Sequence, residues 1–168
     1  MTIAEHLLAD FRMEAEATRK VLNAVPADRF DWQPHEKSMS LQRLAGHVAE
    51  TPGWTKAMME DEMDFAALAG KWEPFLPASK QELMDGFERE VKELEERIGG
   101  KSDDFMTGIW TMRAGDQVFM KAPRHTAIRS TVVHHIIHHR GQLTVYLRLL
   151  GVPVPGTYGP TADEEAMA

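Results

Sequence analysis

Residues 126–151 read TAIRSTVVHHIIHHRGQLTVYLRLLG. Four of the chain's eight histidines sit here: His134, His135, His138 and His139. A helix advances about 100° per residue. On that wheel Ile128, Val132, Ile136, Leu143, Tyr146, Leu147 and Leu150 gather within about a third of a turn, and His139 lies among them. His135 falls at the edge of the arc, beside Gln142 and Tyr146. His134 and His138 fall on the other side with Ser130, Gly141 and Arg148. The stretch reads as one amphipathic helix, ended by Gly151 and Pro153, with two histidines facing in and two facing out.

Three more segments carry the same period. Residues 1–26 open with Thr2 and Glu5, the spacing of a capping box, and place Ala4, Leu7, Leu8, Phe11, Ala15, Leu22 and Val25 on one face before Pro26. Residues 41–59 follow two N-cap candidates, Ser38 and Ser40, and are expected to bend at Pro52-Gly53. Residues 79–98 open on Ser79 and Glu82 and bury Leu83, Phe87, Val91, Leu94 and Ile98 before Gly99-Gly100. A short helical piece is expected within residues 61–70. Ala114-Gly115-Asp116 can turn a small hairpin or a loop before the fourth helix. The Pro/Gly-rich tail, 152–168, is expected to be irregular. The fold class is therefore all-α: a single four-helix-bundle domain over residues 1–168, with long connectors.

Bulk properties narrow the partners. The 168 residues are 43% hydrophobic with a formal net charge of −7, enough for one real core and the wrong sign for a phosphate backbone or an anionic lipid surface. No apolar run is long enough for a membrane span and no leader is expected, which points to a cytoplasmic location. Cysteine is absent, so any metal site must be built from His, Asp, Glu or water.

Two inward histidines four residues apart stand one above the other and can share a divalent ion; two half-buried, hydrogen-bonded histidines are the plain alternative. His47, in the second helix, belongs to the stripe Leu44, His47, Thr51, Trp54, Met58 beside the apolar face. With His135 and His139 it makes a three-histidine site of the kind built between facing helices. His6, His35 and His125 have no partner pattern. Glu50, three residues after His47, is a candidate base, yet its wheel position leans outward and an exposed carboxylate is expected. Gln142 can orient a ligand or make an interhelical hydrogen bond. Trp54 and Tyr146 are candidate pocket residues, with Trp110, Met58, Met112 and Met120 at its mouth or in ordinary packing. Arg140 is expected to pair with a tail carboxylate such as Asp163 or with a substrate anion, and Tyr158 to tuck the tail onto the bundle.

GHVAE in the second helix, HHIIHHRGQL in the fourth and the tail LLGVPVPGTYGPTADE resemble the DinB family of bacterial four-helix-bundle proteins, as does the connector RFDWQPHEKSMSLQRLAGH. The resemblance implies one divalent metal, nickel or zinc, on His47, His135 and His139, and a homodimer. It also implies kinship with thiol-S-transferases that use low-molecular-weight thiols, and with a maleylpyruvate isomerase. Three neutral imidazoles leave coordination positions open, so the expected function is a metal-dependent enzyme activating a small thiol or water. A hydrolase and a non-catalytic metal-binding or stress-response protein are the alternatives.

Overall fold

The computed structural model describes residues 1–68, 70–71 and 73–164. Helix α1 (Ile3–Ala24) starts at Thr2, whose hydroxyl accepts the Glu5 amide at 3.2 Å while the Glu5 carboxylate accepts the Thr2 amide at 2.7 Å. The expected capping box is thus complete. Helix α2 (Leu41–Glu50) is capped by Ser40, which accepts the Arg43 amide at 3.2 Å. The chain then tightens into a 3-10 segment, Thr51–Met59. Pro52 has no N–H to continue the α-helical ladder, and the Thr51 hydroxyl donates to the His47 carbonyl at 2.5 Å.

Helix α4 (Lys80–Ile98) opens on Ser79, which accepts the Glu82 amide at 3.1 Å. Its box is displaced by one residue: the Glu82 carboxylate accepts from Ala78 rather than from Ser79. The fourth helix is built in three parts: α6 (Arg124–Ile128), a π turn at Arg129–Val133 and α7 (His134–Leu149). Helices α1 and α2 each pack against both α4 and α7, which makes the four-helix bundle. Its core includes Phe11, Leu22, Leu41, Leu44, Phe87, Leu94, Ile128, Ile136, Leu143 and Leu147. Among the described residues no helix is long and apolar enough to cross a membrane.

The all-α expectation is corrected by a three-stranded sheet in the order β1–β2–β3. Strands β2 (Ile109–Ala114) and β3 (Gln117–Pro123) form the hairpin the sequence allows, turning at Gly115 with φ +57°. Strand β1 (Glu62–Asp64) lies parallel to β2 where a helical piece was expected, and only Phe65–Leu68 is helical (α3). Three residues, EMD, carry no readable period. Their pairing is secured from the partner strand, by the Arg113 guanidinium donating to Glu62 and Asp64, each at 2.6 Å. A short helix, α5 (Asp103–Thr107), precedes β2. Residue 69 of the expected piece and residues 165–168 of the tail lie outside the described residues.

Two arginines fasten the connectors. Arg124 is 3% exposed and donates to the carbonyls of Met58 (2.6 Å), Phe105 (2.7 Å) and Glu60 (3.0 Å) and to Asp61 (2.9 Å). It joins the end of the 3-10 segment, α5 and the start of α6. Arg140 does not pair with Asp163. It is buried against α1, where it meets Glu14 at 2.8 Å, Thr18 at 3.2 Å and the Tyr158 hydroxyl at 2.6 Å. Tyr158 in turn donates to Glu14 at 2.6 Å, so it does tuck the irregular tail onto the bundle. Asp163 takes Arg148 instead, two turns further along α7, at 2.5 and 3.0 Å, and also accepts the Val154 amide at 2.8 Å.

Truncation of Arg124 leaves buried carbonyls without their donor. Arg124→Ala is expected to lower stability by about 3 kcal/mol, read by denaturant unfolding. The Arg148 hydrogen bond, with the Val154 amide, holds the Asp163 carboxyl below its ordinary value. A carboxyl lowered in the folded state stabilises it above the unfolded value, and that contribution is lost as pH falls through the lowered one. The tail is therefore expected to lose amide-exchange protection on acidification below the usual carboxylate range, and Asp163→Asn to show the same loss at neutral pH.

Candidate metal centre

His47 and Trp54 come from the α2 side of the α2–α7 seam, His135 and His139 from α7. One ring nitrogen from each of His47, His135 and His139 lies within 4.8 Å of the others. The His47 and His135 Nε2 atoms are 2.9 Å apart. The ring centroids of the three lie 4.4 to 5.1 Å apart. His47 and His139 are buried and His135 is half-buried, while His134 and His138 are exposed, as the helical wheel requires.

The far nitrogens of two rings are tied. His47 Nδ1 lies 3.1 Å from Glu50 Oε1 and 3.4 Å from Arg43 Nη2. A carboxylate only accepts, so the nearer contact calls for a proton on Nδ1. Arg43 then serves Glu50, to which its Nη1 donates at 3.1 Å. His139 Nδ1 lies 2.8 Å from Gln142 Oε1, and Gln142 Nε2 lies 3.1 Å from His138 Nε2. That amide accepts from His139 and donates to His138. Both arrangements leave the ring's other nitrogen, Nε2, without a proton of its own.

Electrostatics favour the neutral form of two of the rings, His135 and His139. Burial, then the charges of the neighbouring imidazoles, push the His135 ring down to about 4. Burial also lowers His139, against the opposing bond from Gln142. Burial alone would raise Glu50, but the bonds from His47 and the Phe75 amide and the Arg43 charge outweigh it and hold the carboxyl below its ordinary value. Neutral imidazoles are the form that ligates. A divalent cation about 2.1 Å from three nitrogens sets them roughly 3.4 Å apart, within the range spanned here. The donor set, all imidazole and no sulfur, suits a borderline divalent ion.

Glu50 is not the exposed carboxylate expected from its wheel position. Its second oxygen accepts the Phe75 amide at 2.8 Å, which draws the side chain under the connector that follows α3. That connector runs close to two helices. A Cβ on Gly46 would collide with the Phe75 carbonyl oxygen, and one on Gly86 would come within 2.7 Å of the Phe75 ring. Glycine inside an amphipathic helix is the one sequence signal for this close approach. Phe75 and Arg43 carry no such signal, and the sequence alone does not assign them to the site.

The other expected pocket residues divide. Trp54 lines the site, its ring centroid 5.2 Å from His47 and 4.9 Å from His135. Tyr146 makes no hydrogen bond or ring contact with the triad among the described residues. It donates to the Met39 carbonyl at 3.1 Å and stands edge-on to Trp32, holding the first connector against α7. Trp110 and Met58 are core residues, and Met112 and Met120 face one another across the hairpin. His6 and His35 are exposed, and His125 bonds the Met106 carbonyl at 2.9 Å.

Known proteins resemble this chain in sequence or in fold. The YrdA protein of Bacillus subtilis (strain 168) is 26% identical over 162 residues, covering 96% of this chain and 92% of its own. The crystal structure of a DinB-like protein from Bacillus cereus ATCC 10987 superposes with a TM-score of 0.69 at 25% identity, covering 92% of this chain and 97% of that one. A DinB-like protein from Bacillus subtilis gives 0.67 at 18% identity, covering 90% and 97%. The family model described as DinB family matches residues 1–167. With that match over the chain and a histidine triad in the α2–α7 seam, the protein belongs to the DinB family.

Proposed function

We propose that this protein is a metal-dependent enzyme in which Nε2 of His47, His135 and His139 holds one divalent cation, nickel or zinc, and that its substrate is a small thiol. The observation behind this reading is the convergence of three imidazoles with no fourth protein ligand among the described residues. Such a set is typical of catalytic sites, since structural sites are usually closed by four protein ligands. When bound, the cation would supply the positive charge that lowers the pKa of a thiol or water brought to it.

The chain's own residues favour the thiol. Removing a proton from water calls for a base, and Glu50 is the one carboxylate hydrogen-bonded to the triad among the described residues. Both its oxygens are engaged and its carboxyl lies below the ordinary range, which makes it a poor base. Trp54 gives the site an apolar wall that excludes water from one side. The chain has no cysteine, so the sulfur comes from the co-substrate. In the proposed transfer a sulfur–carbon bond forms, the electrophile's leaving group departs with the bonding pair, and the thiol proton passes to solvent.

Untagged protein is the right material, because a histidine-rich helix takes up metal from a nickel column. Wild type is expected to carry about one divalent ion per chain, and His47→Ala and His135→Ala to lose it. Stoichiometric metal retained in both variants overturns the site. Wild type is expected to couple a low-molecular-weight thiol to a model electrophile, and both variants to lose that activity. Bound metal with no turnover across thiol, ester and epoxide panels overturns the enzyme and leaves a metal-binding protein.

A further inference from the structure

His47 Nε2 and His135 Nε2 are 2.9 Å apart, close enough for a hydrogen bond between the rings. A proton on His47 Nε2 would donate to His135 and occupy two of the three inward lone pairs. In that arrangement His47 has no lone pair to offer toward the seam, whereas with its proton on Nδ1 it is the acceptor and His135 the donor. What selects against it lies behind the ring.

We propose that Glu50 is a positioning residue that keeps the His47 Nε2 lone pair facing the other two rings, by holding the His47 proton on Nδ1 and anchoring that arrangement to the Phe75 amide. Three donors converge on its carboxylate. His47 Nδ1 and Arg43 Nη1 reach Oε1, each at 3.1 Å, and the Phe75 amide reaches Oε2 at 2.8 Å. Arg43 lies 3.4 Å from the same His47 nitrogen. Without the carboxylate, the guanidinium would face that nitrogen as a donor, which favours a bare Nδ1 and moves the proton to Nε2. The Phe75 amide fixes where the carboxylate stands. Its own position is set by close passage over Gly46 and Gly86, where side chains would collide with Phe75. The chain from Phe75 through Glu50 to His47 is thus a carboxylate–histidine arrangement built across two elements.

Ring-nitrogen NMR shifts of metal-free wild type report the tautomer directly. His47 is expected to be protonated at Nδ1 and bare at Nε2; the reverse overturns the proposal. In Glu50→Ala and Glu50→Gln the His47 proton is expected to move to Nε2 in part or in full, a change that loss of packing alone does not produce. Zinc and nickel affinities, measured against a chromogenic chelator, are expected to fall roughly 10- to 100-fold in Glu50→Ala and less in Glu50→Gln. Affinities within threefold of wild type in both folded variants overturn it as well. The affinity arm rests on the cation proposed for the triad, whereas the tautomer arm does not. A wild type that binds no metal but shows the expected tautomer therefore sinks that reading alone. Should Glu50→Ala fail to fold, the wild-type shifts and Glu50→Gln still decide.

Discussion

Three imidazoles can share one point only if each presents a lone pair there rather than a proton. Each neutral ring carries one proton and two nitrogens, so the proton has to be held on the far side. Here the holders are two side chains of different character on different helices. Glu50 on α2 accepts from His47 as an anion, and Gln142 on α7 accepts from His139 as a neutral amide. The exposed His138 completes the second arrangement by taking the other end of the Gln142 amide, which fixes its orientation. Among the described residues His135 has no such partner, and its Nε2 lies 2.9 Å from that of His47. Two rings are held and the third adapts.

The seam depends on irregular backbone at both of its edges. On one side α2 ends three residues beyond His47, where Pro52 forces the tighter turn and Thr51 takes over the His47 carbonyl. Trp54 consequently stands on a 3-10 segment against the His47 and His135 rings. On the other side the π turn at Arg129–Val133 adds a residue to a helical turn just before His134 and rephases α7 relative to α6. Such turns recur at functional sites because they re-aim side chains without ending the helix. Buried Arg124 anchors the start of that helix to the end of the 3-10 segment through the Met58 and Glu60 carbonyls. One guanidinium thus ties together both edges of the seam.

The histidine triad was legible in the sequence because it obeys helical spacing: His135 and His139 stand four positions apart, and His47 flanks the apolar stripe of its own helix. The four helices were legible for the same reason, whereas Ala114-Gly115-Asp116 left a hairpin and a loop both open. Glu50 was not. A wheel assigns direction from neighbours within one helix, and the force on Glu50 comes from a backbone amide 25 residues away. Strand β1 is too short to show a period, and its partner Arg113 lies 49 to 51 residues distant. Arg140 and Asp163 fail as a pair for a related reason. Charge suggests the match, yet Arg140 points into the bundle toward Glu14 while Arg148 is the arginine beside the tail.

Charge placement separates the two tasks of the site. The candidate ligands include no anionic side chain, so they would leave a bound cation's charge available to an incoming nucleophile. The negative charge nearest to it, on Glu50, sits behind His47 and is shared with Arg43 and the Phe75 amide. It would strengthen His47 as a ligand without itself entering the coordination sphere of a bound cation. A carboxylate placed directly among the rings would have offset the cation's charge and occupied a position that a substrate needs. In the proposed reaction, holding the acid behind the ring, away from the inward nitrogen, would favour a sulfur nucleophile over a water that must first be deprotonated by the protein.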